Sequence, residues 1–350
     1  MIWQIPAPED QVLFLRNMQR LLAEGQFVAS YKFALIHALA DLAVLKGDDT
    51  GAPLELGADD LAARFIELYW RQSRPFPWGG ETDLILQQNT GKQAAIISQI
   101  ADAQQSSGSL SRFKQSSGGE WSALVARVKQ VVQEMPLWKL QTVGSESLDF
   151  LYENVGTGSR IALRPGVAYC LRSFFELIRD LIEGAWVRFV QKLNANKLGT
   201  APDLGTFMFG QERGGLDAYR PILLDVQKGV CLYCQKRLST VSQVDHFIPW
   251  SRYPADLGHN FVLTHDKCNN AKSDYLAAEN HLAAWMERNT VHQAELQERL
   301  LAAALPFDVL ATEQVAKWVY QQTEKANGQV WVIERMLRPL GSNWTKCFVA

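Results

Sequence analysis

Two short runs past the middle of this sequence place metal-binding side chains at matched spacing. Cys231-x-x-Cys234 and His265-x-x-Cys268 together hold three of the chain's five cysteines and one of its six histidines. A tight CxxC turn sets two thiolates about 3.5–4 Å apart, the edge of a tetrahedron with Zn–S bonds of about 2.3 Å. The two pairs supply a Cys3His set for one structural Zn2+. Thirty residues (235 to 264) separate them. That is longer than a simple ribbon, so a substructure must fold between the pairs, with zinc as the staple at its ends.

Inside that span lies Val244-Asp245-His246. It reads as the end of a short strand, with Asp245 and His246 pointing to opposite sides. A carboxylate beside an imidazole offers a hard oxygen for Mg2+ or Mn2+ and a base for a water molecule, within one peptide of each other. Directly after Cys268 comes Asn269, at the start of a helix anchored by zinc, its amide oxygen available to the same cation. Two protein oxygens, with waters and a substrate phosphate, are the usual way Mg2+ is held.

The order CxxC, DH-x-x-P, "HNFVL", HxxCN-x-x-K over residues 228 to 275 resembles the HNH endonuclease family and its ββα-metal fold. The resemblance implies that His246 is the general base and that Asp245 and Asn269 hold one catalytic cation. It implies that Asn260 braces the loop and orients the base. Asn269 stands where other members carry histidine, and His265 stands where the family often has a fourth zinc cysteine. Lys272 reads as a salt-bridge partner of Asp274 or, by the family pattern, as a phosphate contact. Arg252, Trp250 and Tyr253 in "PWSRYP" read as groove contacts; the two aromatics read equally as packing of the loop against the helical domain. The implied reaction is metal-dependent hydrolysis of DNA phosphodiester bonds, leaving 5′-phosphate and 3′-hydroxyl ends. The alternatives are an RNase and a zinc-stabilised nucleic-acid-binding or scaffold subunit with little nuclease activity. Beyond this segment there is a loose similarity to helical bacterial proteins that carry such a module, some of them in restriction or antiphage systems.

The net charge of the chain is −2, so no global field draws it to nucleic acid. Between Lys228 and Asp274 six basic residues face four acidic ones, a local balance of +2. Such weak basicity points to another surface, or a partner subunit, as the source of specificity. The opening "MIWQIPAPEDQVLF" lacks a basic stretch followed by an apolar one, and the longest apolar run, "FALIHALADLAVL", is too short for a bilayer and contains Asp41. A cytoplasmic protein without membrane contact is expected.

The elements that must position these residues are mostly helical. Hydrophobic residues are 47% and charged residues 21% of the chain, an ordinary globular balance. "EDQVLFLRNMQRLLAEG", "SYKFALIHALADLAVLKG" (capped by Ser30) and "ADDLAARFIELYWRQS" carry helical periodicity, the last stopped by Pro75 and Pro77. His37 falls on the apolar face of the second and reads as a satisfied core histidine. The Ser/Gly-rich run 104–121 is expected to be a loop, with Arg112 and Lys114 solvated. "LDFLYENVGTGSRIALR" reads as a hairpin turning at Gly156-Thr157-Gly158. One long core helix is expected from Pro165 to about Leu193, then a boundary at 194–205. "LDAYRPILLDVQKG" reads as a helix, as does everything after Tyr275, including "VWVIERMLRPLG". The expected organisation is mainly α: a helical domain at 1–200 for recognition or partner binding, a zinc-stapled ββα-metal module at 206–290, and C-terminal helices at 291–350.

Overall fold

The computed structural model describes residues 3–77, 85–115, 119–153, 158–198, 203–210, 215–239 and 242–348. The protein is mainly α, 59% helical, with small two-stranded sheets only. Its chain divides into two compact units, residues 1–210 and 211–350. Among the described residues no helix is long and apolar enough to cross a membrane.

The first unit is built around α2 (Tyr31–Lys46). Every residue from Lys32 to Val44 is buried, so this helix, apolar on most sides, is packed all round. Its neighbours include α3 (Ala58–Gln72), α7 (Val167–Ser173) and α8 (Phe175–Leu193). Ser30 does not cap α2; its hydroxyl bonds the Tyr69 hydroxyl at 2.6 Å. His37 is a satisfied core histidine, flanked by Asp41 and Glu183 at 3.2 Å each.

Four sequence expectations in this unit give way to tertiary contacts. The Ser/Gly-rich stretch is largely helical where it is described: α4 (Ala95–Ser107) runs into it and, after a bend at residues 108–109, α5 (Leu110–Gln115) follows, because Phe113 is buried against Trp70 and Trp121. Lys114 is exposed, as expected, and also pairs with Glu67; residues 116–118 lie outside the described residues. Arg160–Leu163 pairs along its length with Leu54–Gly57, leaving only a single bridge, Tyr152 to Leu163, of the expected hairpin. A non-local partner replaced the local one; Gly156 and Thr157 of the expected turn lie outside the described residues. The long helix is two, broken at Phe174, and α8 buries one stripe (Phe175, Ile178, Ile182, Trp186, Val190) while Leu177 and Leu181 stay exposed. Asn194, where a linker was expected, is buried and holds both backbone groups of Gln87 at 2.8 and 3.0 Å; residues 199–202 lie outside the described residues.

The second unit centres on a hairpin, β1 (Ser242–His246) against β2 (Phe261–His265), followed at once by α10 (Asp266–Lys272). The antiparallel register pairs Val244 with Leu263, Asp245 with Val262 and His246 with Phe261. Val244, Phe261 and Leu263 join a core with Ile222, Leu223 and Val226 of α9 (Arg220–Val226) and with Leu296 and Leu300 of α12 (Gln293–Ala302). Gln227 acts as a surrogate strand: its side chain donates to Leu263 O and accepts from Leu263 N, both at 2.8 Å. The chain after α10 wraps this centre with α11 (Glu279–Val291), α12 and α13 (Val309–Lys325). The last expected helix is instead a β-hairpin, Gln329–Ile333 against Met336–Pro339. Val-Trp-Val-Ile is β-branched and aromatic, and Glu334 takes a positive φ of 49° at the turn. Trp331 pins this hairpin, giving its N–H to Leu276 and accepting from Ala278.

Candidate active site

The knuckle forms because Cys231 and Cys234 flank a tight turn. Gln235 N donates to Cys231 O at 3.0 Å, and Gln235 itself takes a positive φ of 56°. Cys231 N then donates to Lys236 O at 2.9 Å. His265 ends β2 and Cys268 lies in the first turn of α10. Ligand atoms of Cys231, Cys234, His265 and Cys268 all lie within 4.8 Å of one another.

The donor set fits zinc. His265 turns Nδ1 to within 3.3 Å of the Cys234 sulfur, while Nε2 donates to Arg237 O at 2.9 Å. A second-shell carbonyl of this kind fixes the tautomer and ring plane of a metal-bound histidine. Burial and the neighbouring Cys231 and Cys234 sulfurs push the Cys268 thiol up to about 12. A cation at the centre reverses that penalty, because the thiolates then have a partner.

Across the hairpin from the Val244 core lies α10. Alternation along β1 puts Gln243 and Asp245 on one face, about 7 Å apart, and helical spacing puts Asn269 and Lys272 on one side of α10, about 5–6 Å apart. These two ladders mate rung to rung. Asn269 Nδ2 donates to Gln243 Oε1 at 2.6 Å, and Lys272 Nζ lies 3.2 Å from Asp245 Oδ2. The first rung uses the Asn269 amide nitrogen and leaves its oxygen without a protein partner among the described residues. At the second rung Asp245 Oδ2 also accepts the Tyr233 hydroxyl at 2.6 Å, and no described residue bonds Oδ1.

Lys272 departs from the sequence expectation. Its side chain is wholly buried, and Nζ is shared among Asp245, His246 O (3.0 Å) and Ser273 O (3.4 Å). A lysine sealed by three oxygens is a bracket for the strand end, not a phosphate contact, and its partner is Asp245 rather than Asp274.

His246 faces the other side of the strand. Its ring packs edge-on against Phe261 (4.7 Å) and Trp250 (5.6 Å), and Nε2 lies 3.1 Å from Asp256 Oδ1. Nδ1 has no protein partner among the described residues. Asn260, buried, closes the loop that follows: Oδ1 accepts Ile248 N at 2.7 Å and Nδ2 donates to Ile248 O at 3.0 Å. Within that loop Tyr253 is buried edge-on to Trp318 of α13 at 6.3 Å, so it packs the loop rather than facing a groove. Trp250 and Arg252 are half-buried.

Residues 231–278 match the family model described as HNH endonuclease. This segment is an HNH endonuclease domain. No curated protein and no solved structure matches the chain. An HNH endonuclease domain suggests a nuclease, and with it a nucleic-acid substrate.

Three residues of the HNH site escaped sequence reasoning. Asp256 lies ten residues from His246 in an ordinary-looking loop, so only the fold brings them together. Tyr233 stands between the two knuckle cysteines, and Gln243 two residues before Asp245; their proximity to candidate ligands was the one available signal. Arg288 was also missed. Buried, it donates to His259 O and Phe261 O at 2.9 Å each, clamping α11 onto the start of β2.

Proposed function

We propose that this protein is a metal-dependent endonuclease that hydrolyses phosphodiester bonds of DNA. The observation that carries the reading is the rung-to-rung mating of β1 and α10. Among the described residues it leaves one hard oxygen of Asp245 and the amide oxygen of Asn269 without protein partners, on neighbouring positions of one face. Those two oxygens would hold one Mg2+ or Mn2+, which when bound supplies Lewis-acid stabilisation of charge on the phosphate.

The chain's own groups do the rest. Nε2 of His246 donates to Asp256, which fixes the ring and leaves Nδ1 as the lone-pair nitrogen that takes a proton from the attacking water. Asp256 also stabilises the imidazolium that results. Asn260 holds the backbone of the loop next to His246, so the base keeps its orientation. Trp250 and Phe261 wall the ring and limit its rotation. Asp245 is held by Tyr233 and Lys272, so it does not swing to accept the proton in place of His246. Arg252, half-buried in the loop beside Trp250, is proposed to meet the substrate backbone, and the helical first unit to supply recognition of DNA or of a partner subunit. The loose sequence similarity to helical bacterial proteins that carry such a module extends the proposal to a role in restriction or antiphage defence.

The deciding assay incubates the protein with plasmid DNA and with single-stranded RNA in Mg2+, Mn2+ or EDTA. Cation-dependent nicking of the DNA, with RNA left intact, is the expected result. His246→Ala should lower the cleavage rate by roughly 10²–10⁴-fold while zinc content and melting temperature are retained. Cleavage undiminished in His246→Ala removes the catalytic reading, and preferential RNA cleavage turns it to an RNase.

A further inference from the structure

We infer that Tyr233, fixed inside the zinc knuckle, is the positioning residue that sets Asp245 for its divalent cation, and so makes the strength of the cation site depend on the zinc site. This rests on Asp245 being a cation ligand, as proposed above.

Tyr233 is the third residue of Cys231-Leu232-Tyr233-Cys234, so its backbone is fixed on both sides by zinc ligands. Its ring is buried in an aromatic box of Phe247 (6.4 Å), His281 (5.5 Å) and Trp331 (5.2 Å). Walled on three sides, the ring keeps its hydroxyl at one place, 2.6 Å from Asp245 Oδ2. The knuckle backbone, the phenol and the carboxylate therefore form one rigid chain from the zinc ligands to the cation ligand.

Lys272 touches the same oxygen at 3.2 Å, and the two partners differ in kind. An ammonium beside Asp245 orients the carboxylate but also repels a second cation by Coulomb's law. A neutral phenol orients the carboxylate with no such repulsion. It competes with the ammonium for Oδ2 and keeps the carboxylate turned so that Oδ1 stays available. Without the hydroxyl, the ammonium is the sole partner and draws the carboxylate toward itself. Outer-shell donors of this kind are worth roughly 10–100-fold in metal affinity when removed.

The test is a Mn2+ titration of the zinc-loaded full chain, without nucleic acid, followed by electron paramagnetic resonance of free Mn2+. Zinc content and melting temperature are measured on the same samples. Tyr233→Phe keeps the ring in its box and removes the hydroxyl alone; Tyr233→Met fills the box differently. Asp245→Ala is the reference for the cation site. The expected result is Mn2+ binding roughly 10–100-fold weaker in both Tyr233 variants, unchanged zinc content, and no binding in Asp245→Ala. Parent-like Mn2+ affinity in Tyr233→Phe, with binding lost in Asp245→Ala, overturns the inference and leaves the cation assignment standing. Parent-like affinity in Asp245→Ala overturns the assignment and the inference with it. A loss confined to Tyr233→Met assigns the effect to packing and also overturns the inference.

Discussion

His37 and His246 are buried to nearly the same depth, 5% and 7% exposed, and both touch carboxylates, yet they are prepared for different work. His37, in the first unit, spends both ring nitrogens, one on Asp41 and one on Glu183, each at 3.2 Å. Burial alone would lower its affinity for a proton, but Asp41 and then Glu183 outweigh burial and raise it to about 9. Asp41 in turn is held far below the usual carboxylate range, against burial, by Arg64 and His37. Arg64 continues to Glu67, and Glu67 to Lys114. The cluster joins α2, α3, α5 and α8 through charge paired with charge. Among the described residues His246 spends one nitrogen only, and Asp245 one oxygen only. A polar cluster that consumes its own donors and acceptors is structural; one that leaves a nitrogen and two oxygens over is equipped for chemistry. Depth and residue type alike fail to separate the two, and unused valence does.

The largest blow to this comparison would come from the zinc. Structural zinc carries apparent binding free energies of about 10–16 kcal/mol in small domains. Cys268→Ser, or removal of zinc with a chelator, should therefore unfold the hairpin and α10 while the His37 cluster survives. Hydrogen exchange resolved by unit reads this directly. Equal loss of protection in both units would mean that the first unit depends on the module.

Next in size is a paired carboxylate exchange. Asp41→Ala removes one partner each from His37 and Arg64 in the interior and should cost about 3–5 kcal/mol of unfolding free energy in the first unit. Asp256→Asn, in a half-exposed loop, should leave the melting temperature within a few degrees and instead slow cleavage by roughly 10-fold or more as His246 loses its anchor. A large stability loss in Asp256→Asn would make the two clusters alike and sink the contrast.

The smallest effect, and the one that sharpens the comparison most, is pH. His37 binds its proton more tightly folded (about 9) than an unfolded histidine does (about 6.5). Its contribution is complete below about pH 6.5 and fades as pH rises through 9. In the module, burial and the nearby Arg288 hold His259 down at about 4. Its contribution is complete above about pH 6.5 and fades as pH falls through 4. The two units should therefore lose stability in opposite directions of pH. His37→Gln should flatten the alkaline loss, and His259→Phe should reduce the acid loss that remains alongside proton competition for the zinc ligands. Denaturant unfolding followed at pH 5, 7 and 9 checks both slopes.

Much of the site was legible because its residues are close along the chain or repeat a spacing. CxxC and HxxC name four ligands whose atoms do meet. Val244-Asp245-His246 alternates as a strand must, and Asn269 follows Cys268 with no room to be elsewhere than on the zinc-anchored helix. Partners chosen across space were not legible. Lys272 looked like a phosphate contact because a sequence does not display burial. The 104–121 stretch looked like a loop because its Ser and Gly content outweighs one phenylalanine on any local scale, and Phe113 acts only once Trp70 and Trp121 enclose it. Residues 329–339 looked helical by proximity to three helices, while Val-Trp-Val-Ile pairs as a strand once the turn at Glu334 returns the chain.

The sequence by itself determined which atoms are candidate metal ligands and which side chain is the candidate base, since those depend on residue type and on spacings of two to four residues that backbone geometry converts into distance. Tertiary structure alone decided what each of those groups has left to give. It gave Asp256 to His246, Tyr233 and Lys272 to one oxygen of Asp245, and Glu183 to His37. Such pairings join residues from ten to almost one hundred and fifty positions apart. No periodicity encodes them; only the packing of whole elements brings the groups within hydrogen-bond reach.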